Sequence, residues 1–587
     1  MENTNRSFGQ LFNLSFGFFG VQIAYALQSA NISRIFATLG ADPHQLSFFW
    51  VLPPLMGMIV QPLIGKYSDK TWTRLGRRKP YLLVGALIAL AVMILLPNAG
   101  DFTFAQGLFL GLSAAMWFGL FSLMFLDTSI NIAMQPFKMM VGDMVNEEQK
   151  GTAYAIQSAL CNAGSVVGYV FPYFFTWIGI SNLAPEGVIP DSVKWSFYVG
   201  AAILIACVLY TFFAVKEMPP EEYAKFHGVD LKKEAEVVAG QLHVDRGTVR
   251  TIFLGLVTLG IYPLVVFSKM SKEINLIASK HDNRKTIPYW IMYIISTVFT
   301  FGIYQFIWWH NYSNRVGNEL RRRNINYDFS ERTFWIWNVL GSLILIGPIV
   351  FIHRLCRATN LLNSDYNKET LGIDTPAEND TVDLLIEAPS TFWTVGLVQF
   401  FCWSAFLFMW TYSPGAIASQ CFGWDGITTA VAEYQNAADW VGIVFMVQAI
   451  GSLLWAMVIA PLEKRFGNKG AYAISLAVGA IGFVSTMFVT DQYVLFASYA
   501  LIGAAWAAML ALPFTIFTNS LKGENIGYYL GLFNCTICLP QICAALIGGV
   551  ILRLFCGGEQ VGMLVVAGVL LLVGAVAVFL IREKEDE

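Results

Sequence analysis

The sequence predicts an all-α protein that crosses a membrane many times, and three observations support this prediction. Of the 587 residues, 56% are hydrophobic and only 13% are charged, which is about half the charged fraction of soluble proteins. Many apolar runs reach the roughly 20 residues that a helix needs to cross a bilayer. Short charged turns separate several of these runs. The net charge of −3, without a basic stripe, makes nucleic acid an unexpected partner and membrane lipid an expected one.

The nine cysteines lie mostly inside apolar runs and therefore predict no disulfide framework. Cys535 and Cys538 have a spacing that in a soluble chain would suggest redox or metal chemistry. Here they lie within an apolar run, so we expect two small residues that pack in the middle of a helix.

The stretch Gly57–Pro80 orients the other predicted helices. It begins as an apolar helix and ends in a short turn with six cations and one acid, directly before the apolar run Tyr81–Leu96. Short turns rich in Lys and Arg stay in the cytosol, so this turn marks the inner side. The charged residues of the turn are Lys66, Asp69, Lys70, Arg74, Arg77, Arg78 and Lys79.

The same turn fits a mechanical role. Gly65 has no Cβ and lets another helix approach closely, and Asp69 is an anion suited to the N-terminus of a neighbouring helix. Forked guanidinium groups can grip a carboxylate on another helix, and Arg74, Arg77 and Arg78 supply them. Charge alone leaves two interpretations open, a gate and a plain orienting loop.

The first span, about Leu11–Ala37, carries polar residues at membrane depth, where they are costly unless they face a cavity or a partner. Gln22, Tyr25 and Ser29 recur at helical spacing and share a face, and Gln28 lies beside them. Two uses remain open: substrate contact and hydrogen bonding between helices.

The fourth span, about Gly111–Val141, follows an external turn at Pro97–Thr103 and has the clearest chemical pattern. Asp127, Asn131 and Lys138 lie near one face of a helix. Asp127 and Lys138 are about 16 Å apart along the helix axis, too far for a simple ion pair within one helix. Because a lone carboxylate at membrane depth is costly when charged, Asp127 is a candidate proton carrier. A structural pair with a charge on another helix is the alternative.

The remaining spans suggest a chain built from two similar parts. The fifth span, about Thr152–Ile178, carries Gln157, and the sixth, about Trp195–Val215, ends in the cytosol. Near Thr391 a second series begins, in which Gln399 follows a valine as Gln22 does, and Trp403 offers an aromatic surface. Ala460–Lys469 is a weakened copy of the basic turn. Such sequence repeats are typical of two parallel six-helix halves.

The ordered set Gly65, Asp69, Lys70, Arg74, Gly76, Arg77 and Arg78 resembles the signature loop between the second and third helices of the major facilitator superfamily. The preceding Gly-Met-Ile-Val-Gln-Pro and the stretches Gly20–Gln28, Ala504–Pro513 and Gly531–Gln541 resemble the sucrose/proton symporter branch of the glycoside–pentoside–hexuronide:cation symporters. The resemblance covers about residues 8–216 and 391–582. It implies a major facilitator fold of two six-helix halves.

The resemblance also implies roles for individual residues. Asp127 becomes the coupling acid, Lys138 stands where the branch has an Arg that supports sugar binding, and Asp143 becomes the partner of Arg74 or Arg77. Lysine lacks the bidentate fork of arginine, so this is a real departure. The complete set of expected substrate contacts is Gln22, Tyr25, Gln28, Asn131, Lys138, Gln157, Gln399, Trp403, Trp506 and Asn534.

A segment of about residues 217–390 has no counterpart in this pattern and resembles a small bacterial membrane domain of unknown function. Thr258–Tyr262 (Thr-Leu-Gly-Ile-Tyr) recurs as Thr300–Tyr304 (Thr-Phe-Gly-Ile-Tyr). Of its three apolar runs we expect two to span the membrane, since the helices before and after it both end inside; the alternative keeps all three on the cytosolic side. The polar tails Lys269–Asn283 and Asn311–Asn326 are expected to be solvated or interfacial, and the insert dispensable for transport.

The sequence thus predicts a transporter and not an enzyme, with an N-terminal half (1–216), an insert (217–390) and a C-terminal half (391–587). The expected work is proton-coupled uptake of a small glycoside such as sucrose or maltose across the cytoplasmic membrane. The branch's wider family couples sodium through acids on the second helix, but Leu46–Ile64 has none, which favours protons. No cofactor is expected, a monomer is favoured, and both termini should be cytosolic. A sugar sensor that does not transport and a symporter for a lipid-type substrate remain alternatives.

Overall fold

The computed structural model describes residues 5–102, 107–227, 241–258, 260–344, 346–374, 376–377, 388–520 and 532–581. The chain forms two compact units. The first comprises Met1–Phe226 and Pro389–Glu587, and the second is His227–Ala388.

The N-terminal half of the first unit consists of helices joined by short turns. Ser7 begins the first helix with a capping box in which the Ser7 side chain accepts from the Gln10 N–H. Leu108–Phe109 (β1) and Leu112–Ser113 (β2) form a small antiparallel hairpin. The helices are α1 (Phe8–Thr38), α2 (Pro43–Phe49), α3 (Leu52–Lys70), α4 (Lys79–Leu95), α5 (Ala114–Met144), α6 (Glu147–Trp177), α7 (Asp191–Ala214) and the short α8 (Pro220–His227).

The described part of the insert, which begins within the range predicted for it, contains five α-helices of ten or more residues. They are α9 (Thr248–Val257), α10 (Ile261–Asp282), α11 (Tyr289–Phe299), α12 (Ile303–Arg322) and α13 (Gly347–Leu371).

The C-terminal half of the first unit has the same construction. Its longest helix, α15, is interrupted at Gly467, whose φ of 71° divides it into two helices. This division falls inside Ala460–Lys469, the predicted copy of the basic turn, although the residues before Gly467 are helical. The helices are α14 (Ser390–Cys421), α15 (Ala432–Ser485), α16 (Leu495–Ser520), α17 (Cys535–Phe555) and α18 (Gln560–Ala577).

Within the described residues, nine helical stretches are long and apolar enough to cross a membrane, and all nine lie in the first unit. α1 and α6 are equally long, at 31 residues each, but carry more polar residues. Counting α2 with α3 and dividing α15 at Gly467 gives six long helices in each half. The predicted all-α fold of two six-helix halves is confirmed.

The two spans predicted in the insert are wrong. Its apolar runs are interrupted by turns, so that α11, its most apolar helix, has only 11 residues. The predicted solvation of the polar tails is also wrong in part. Met270 and Ile274 of the first tail and Tyr312 of the second are buried in a core that belongs to the insert itself.

Buried charges also hold the insert together. Arg315 donates to both carboxylate oxygens of Asp282, at 2.6 and 3.0 Å. Burial alone would raise the pKa of Asp282, but the hydrogen bonds and charges of Arg315 and Arg284 together outweigh burial and keep this pKa below its ordinary value. The charged form of Asp282 is therefore the one that the folded insert stabilises.

Candidate functional site

Asp127 lies in the middle of α5, where close helix packing holds it. A Cβ on Gly85 of α4 would lie 2.7 Å from the Ala133 nitrogen, so only glycine allows this approach. Asp127 is 2% exposed, and its Oδ1 accepts a hydrogen bond of 2.5 Å from Gln28 of α1. Among the described residues, its Oδ2 is buried and accepts no hydrogen bond, and no cation pairs with it. The structure thus isolates one carboxylate oxygen at membrane depth.

Asn131, one turn further along α5, supports this arrangement. Its Nδ2 donates to the Asp127 carbonyl at 2.8 Å, and its Oδ1 accepts from Gln61 of α3 at 2.7 Å. Both ends of the amide are therefore used by the protein, and Asn131 positions its neighbours. Sequence analysis missed Gln61, although a glutamine inside an apolar helix is itself an indication of a polar contact.

The other predicted contacts of the N-terminal half differ in what they offer. Tyr25 of α1 is 36% exposed. Gln22 is half-buried beside α6, and Lys138 is exposed. Gln157 is buried and donates to the Phe137 carbonyl at 3.1 Å, so its amide nitrogen already has a partner.

In the C-terminal half, α14 carries two unpaired polar atoms, and one of them belongs to a cluster of aromatic rings. Trp403 and Trp506 meet edge to face with ring centroids 5.6 Å apart, and Trp506 also contacts Trp410. Gln399 Oε1 and Trp403 Nε1 are buried and have no hydrogen-bond partner among the described residues. Native proteins leave few buried polar atoms unpaired. These atoms are therefore candidate ligand contacts.

Two predicted positions of the second half lie at the start of α17. Asn534 is the N-cap residue of this helix, and Cys535 is its first residue. Leu532 and Phe533 are helical as well, and the segment before them lies outside the described residues, so the predicted position of Cys535 and Cys538 within the full helix stays a prediction. Within the described residues, no group of His, Cys, Asp and Glu could hold a metal ion.

The basic turn contacts Asp143 through Arg78. Arg78 Nε lies 2.7 Å from Asp143 Oδ2, and Arg78 Nη1 donates to Ser68. Sequence analysis named Arg74 or Arg77 as the partner of Asp143 and did not name Arg78, which the structure shows in contact with it. Arg77 places its guanidinium over the rings of Trp72 and Tyr223, and Arg74 is exposed.

Two expectations about helix contacts at this turn have different outcomes. No described atom lies within 4 Å of where a Cβ on Gly65 would be, so the structure shows no close helix approach there. The proposed docking of Asp69 on the helix start near Asn525–Gly527 concerns a side chain and a segment outside the described residues.

Glu217, just after α7, fixes the shape of the basic turn. Its carboxylate accepts hydrogen bonds from the backbone N–H groups of Arg77 (2.6 Å), Arg78 (2.9 Å) and Lys79 (2.7 Å) at the start of α4. A Cβ on Gly76, which has a φ of 116°, would lie 2.7 Å from the Glu217 carboxyl carbon. Sequence analysis placed Glu217 only as a cytosolic exit, because nothing local links residues 140 positions apart.

At the opposite end of the bundle, a buried ion pair joins the two halves. Arg34 lies 28 residues after Arg6, which donates to the Met144 carbonyl at the basic-turn end, so about 42 Å of helix separates them. Arg34 is fully buried, and its Nη1 lies 2.6 Å from Asp439 Oδ1 of α15.

Further hydrogen bonds complete this network, which we call the Arg34 network (Arg34, Thr176, Asn182, Gln435 and Asp439). Arg34 also donates to Gln435 at 2.8 Å and to Asn182 at 2.5 Å, and Thr176 donates to Asp439 Oδ2 at 2.6 Å. Sequence analysis missed it, although an arginine at the end of an apolar span and an aspartate in another were visible.

The chain resembles known membrane transporters in sequence and fold. The family model of the Major Facilitator Superfamily matches residues 14–364. The sucrose transport protein SUT1 of Oryza sativa subsp. japonica is 28% identical over 219 residues, which are 34% of this chain and 39% of that protein. The sucrose transport protein SUC4 of Arabidopsis thaliana is 27% identical over 272 residues, 43% of this chain and 53% of that protein. The chain thus spans about half or less of the length of these relatives.

Solved structures share the fold along nearly the whole chain. The solved structure of a D-xylose-proton symporter aligns with a TM-score of 0.51 at 13% identity, and the alignment covers 98% of this chain and 97% of that one. A structure described as showing substrate recognition in proton dependent oligopeptide transporters has a TM-score of 0.53 at 14% identity, with 98% of both chains covered. At these identities the likeness concerns the fold alone. The chain belongs to the Major Facilitator Superfamily and is a multi-pass membrane protein of a transporter family, not an enzyme.

Proposed function

We propose that this protein takes up a small glycoside, a disaccharide such as sucrose or maltose, together with a proton by alternating access. The observation that carries this proposal is a set of buried, unpaired polar atoms on helices of both halves. Gln28 Oε1 and Asp127 Oδ2 belong to the N-terminal half, and Gln399 Oε1 and Trp403 Nε1 to the C-terminal half. The hydroxyl groups of a sugar both donate and accept hydrogen bonds, so a sugar suits three acceptors and one donor.

The aromatic rings beside these atoms support a sugar as the ligand. Trp403, Phe406 and Trp410 all contact Trp506, with ring centroids 4.9–5.8 Å apart. Pockets for small molecules combine such apolar surfaces with a few placed polar groups. The printed names of SUT1 and SUC4 as sucrose transport proteins agree with this ligand class.

Proton coupling is supported by the surroundings of Asp127. A buried carboxylate without a cation is most stable when it binds a proton, and a proton on Oδ2 would turn this acceptor into a donor. The exposed Lys138, on the same helix, is available for substrate. No further cofactor is required by this mechanism.

Alternating access needs one closed end and one open end. The Arg34 network closes the end opposite the basic turn. Because basic turns stay in the cytosol, we place this network on the outer side of the cytoplasmic membrane, with both termini inside and the site open inward. A single chain contains both halves, so a monomer suffices.

Uptake of labelled sucrose and maltose into proteoliposomes under an imposed pH gradient tests this proposal. The Asp127→Asn variant keeps the shape of the side chain and removes its titration. We expect it to lose accumulation driven by the gradient while it retains exchange of sugar across the membrane. Glu148→Gln, a change of an exposed acid, is the matched control and should accumulate sugar like the parent protein.

The alternatives predict other outcomes. A sensor would bind sugar, measured by thermal shift, without transport in either assay. A symporter for a lipid-type substrate would show neither sugar binding nor sugar uptake. Undiminished accumulation by Asp127→Asn would contradict proton transfer through this residue.

A further inference from the structure

The sequence repeat of the insert is a helical hairpin built twice. α9 and α10 meet at Gly260 (φ 89°), and α11 and α12 meet at Phe301 and Gly302 (φ 47° and 91°). In each turn the repeated threonine accepts from the N–H of the repeated tyrosine, Thr258 from Tyr262 at 2.9 Å and Thr300 from Tyr304 at 3.0 Å. In each case an apolar helix is followed by an amphipathic one.

The third apolar run also turns back. Phe334–Val339 is a π-helix and Leu340–Ile344 a 3₁₀-helix, after which α13 begins at Gly347. A Cβ on Gly341 would lie 2.7 Å from the Gly347 Cα, so the two helical segments on either side of this turn are in contact. The insert therefore has three helical hairpins, each with an apolar tip.

Large apolar side chains at these tips are exposed. Ile261 is 64% exposed, Phe301 94% and Leu343 86%. Phe267 packs against Trp309, and Phe306 against Trp335, at centroid distances of 5.2 and 6.3 Å, so neighbouring hairpins contact one another. Further exposed apolar residues of the tips are Val298, Phe299, Ile303, Ile307, Ile336, Leu340 and Ile346. Contiguous apolar surface of this kind marks an interaction site.

The length of the hairpins indicates which partner this surface fits. With 11 residues, α11 is about 16 Å long, about half of the roughly 30 Å hydrocarbon core of a bilayer. Over the whole unit His227–Ala388 the sequence has 17 Lys and Arg against 16 Asp and Glu, so net charge does not select the partner. Hairpins too short to cross the bilayer can still bury apolar tips in one leaflet, as interfacial helices do.

We propose that the unit His227–Ala388 is a monotopic lipid-binding module that places its three hairpin tips among the acyl chains of one leaflet. Its charged helix ends, such as Arg321 at the end of α12, remain in the headgroup region or in water. The chain leaves α7 before this unit and enters α14 after it, and both helices are long enough to span the membrane, which keeps the bilayer within reach. The apolar tips are too short to cross the bilayer, so the unit adds no span.

Spin-label depth measurements on the full chain in lipid nanodiscs test this proposal. Labels are placed through Phe299→Cys and Leu343→Cys at two tips, with Arg321→Cys as the matched control at the far end of α12. The exposed native Cys543 is replaced by serine, and the signal of that background is subtracted. Collision rates with oxygen, which concentrates in lipid, and with a water-soluble nickel chelate are then measured. Detergent micelles are not used, because detergent would cover the same apolar tips that lipid is proposed to cover.

We expect both tip labels to collide several-fold more with oxygen and several-fold less with nickel than the control label. The depth of both labels should lie between the headgroups and the midplane of the bilayer. High nickel and low oxygen collision at the tips would place them in water and overturn the proposal. Low collision with both reagents would show that protein, either another part of this chain or a second copy, covers the tips, which also overturns it. A depth beyond the midplane would show a spanning segment and contradict a monotopic module.

Discussion

The pairing of Arg34 with Asp439 predicts how the outer end of the protein opens. Both side chains are almost completely buried, with 0% and 2% exposure. Removing one partner of such a pair leaves an uncompensated buried charge, at a cost of about 3–5 kcal/mol. Only the state with a closed outer end contains this pair, so Arg34→Met and Asp439→Asn should each shift the equilibrium toward opening. At about 1.4 kcal/mol per tenfold change, that shift is roughly 100- to 4,000-fold.

The double variant makes this prediction specific. When Arg34→Met and Asp439→Asn are combined, no buried charge is left unpaired, and the amide at position 439 can still accept from Thr176. Replacing a buried ion pair completely is often nearly neutral. We therefore expect the double variant to open less than either single variant.

Cysteine accessibility in lipid nanodiscs measures the opening. In a cysteine-free background, Ala438→Cys places a thiol beside Asp439 at a position that is 3% exposed in the closed state. Its reaction rate with a polar maleimide should rise strongly in each single variant. Ala86→Cys, within the packed N-terminal half, should stay unreactive and serves as the control for unfolding. Equal protection of Ala438→Cys in all variants, or a double variant as reactive as the single ones, would refute the reasoning.

Two further predictions concern the basic turn and the insert. Glu217→Gln should lower stability by about 1–2 kcal/mol, because three N–H groups lose a charged acceptor; thermal unfolding should show a fall of a few degrees, and Lys225→Gln, an exposed change on α8, should show none. Replacing Val229–Thr381 by a flexible linker should leave the KM for sugar within a few fold, because the four polar atoms proposed to contact the sugar belong to the first unit; a folded deletion that no longer binds sugar would show that the insert completes the site.

The fold could be predicted because hydrophobic length is a local property. The first span was predicted at about Leu11–Ala37 and is Phe8–Thr38, and the sixth was predicted at Trp195–Val215 and is Asp191–Ala214. Prediction from hydrophobic length fails for apolar runs that are interrupted by one turn. The run through Phe299 and Ile303 has the composition of a span, and only the positive φ angles at Phe301 and Gly302 make it a hairpin.

Partners of charged residues could not be predicted from local sequence. Arg74, Arg77 and Arg78 are equivalent donors within five positions, and the conformation that Glu217 and Gly76 impose decides that Arg78 contacts Asp143. The partners Arg34 and Asp439 are 405 positions apart. In both cases the sequence contains the charges, while the contact depends on how distant helices pack.

On the proposed function, the unpaired atoms explain how sugar and proton binding can be coupled. Each buried polar atom without a partner costs about 1–3 kcal/mol, and Asp127 Oδ2, Gln28 Oε1 and Gln399 Oε1 are all acceptors in the unprotonated protein. When Oδ2 binds a proton it can donate a hydrogen bond, which a sugar oxygen accepts. Sugar therefore binds the protonated protein more tightly. Because coupling between two ligands is reciprocal, bound sugar must then strengthen proton binding by the same factor. Asp127→Asn, which carries a permanent amide donor, should therefore bind sugar with an affinity that no longer varies with pH.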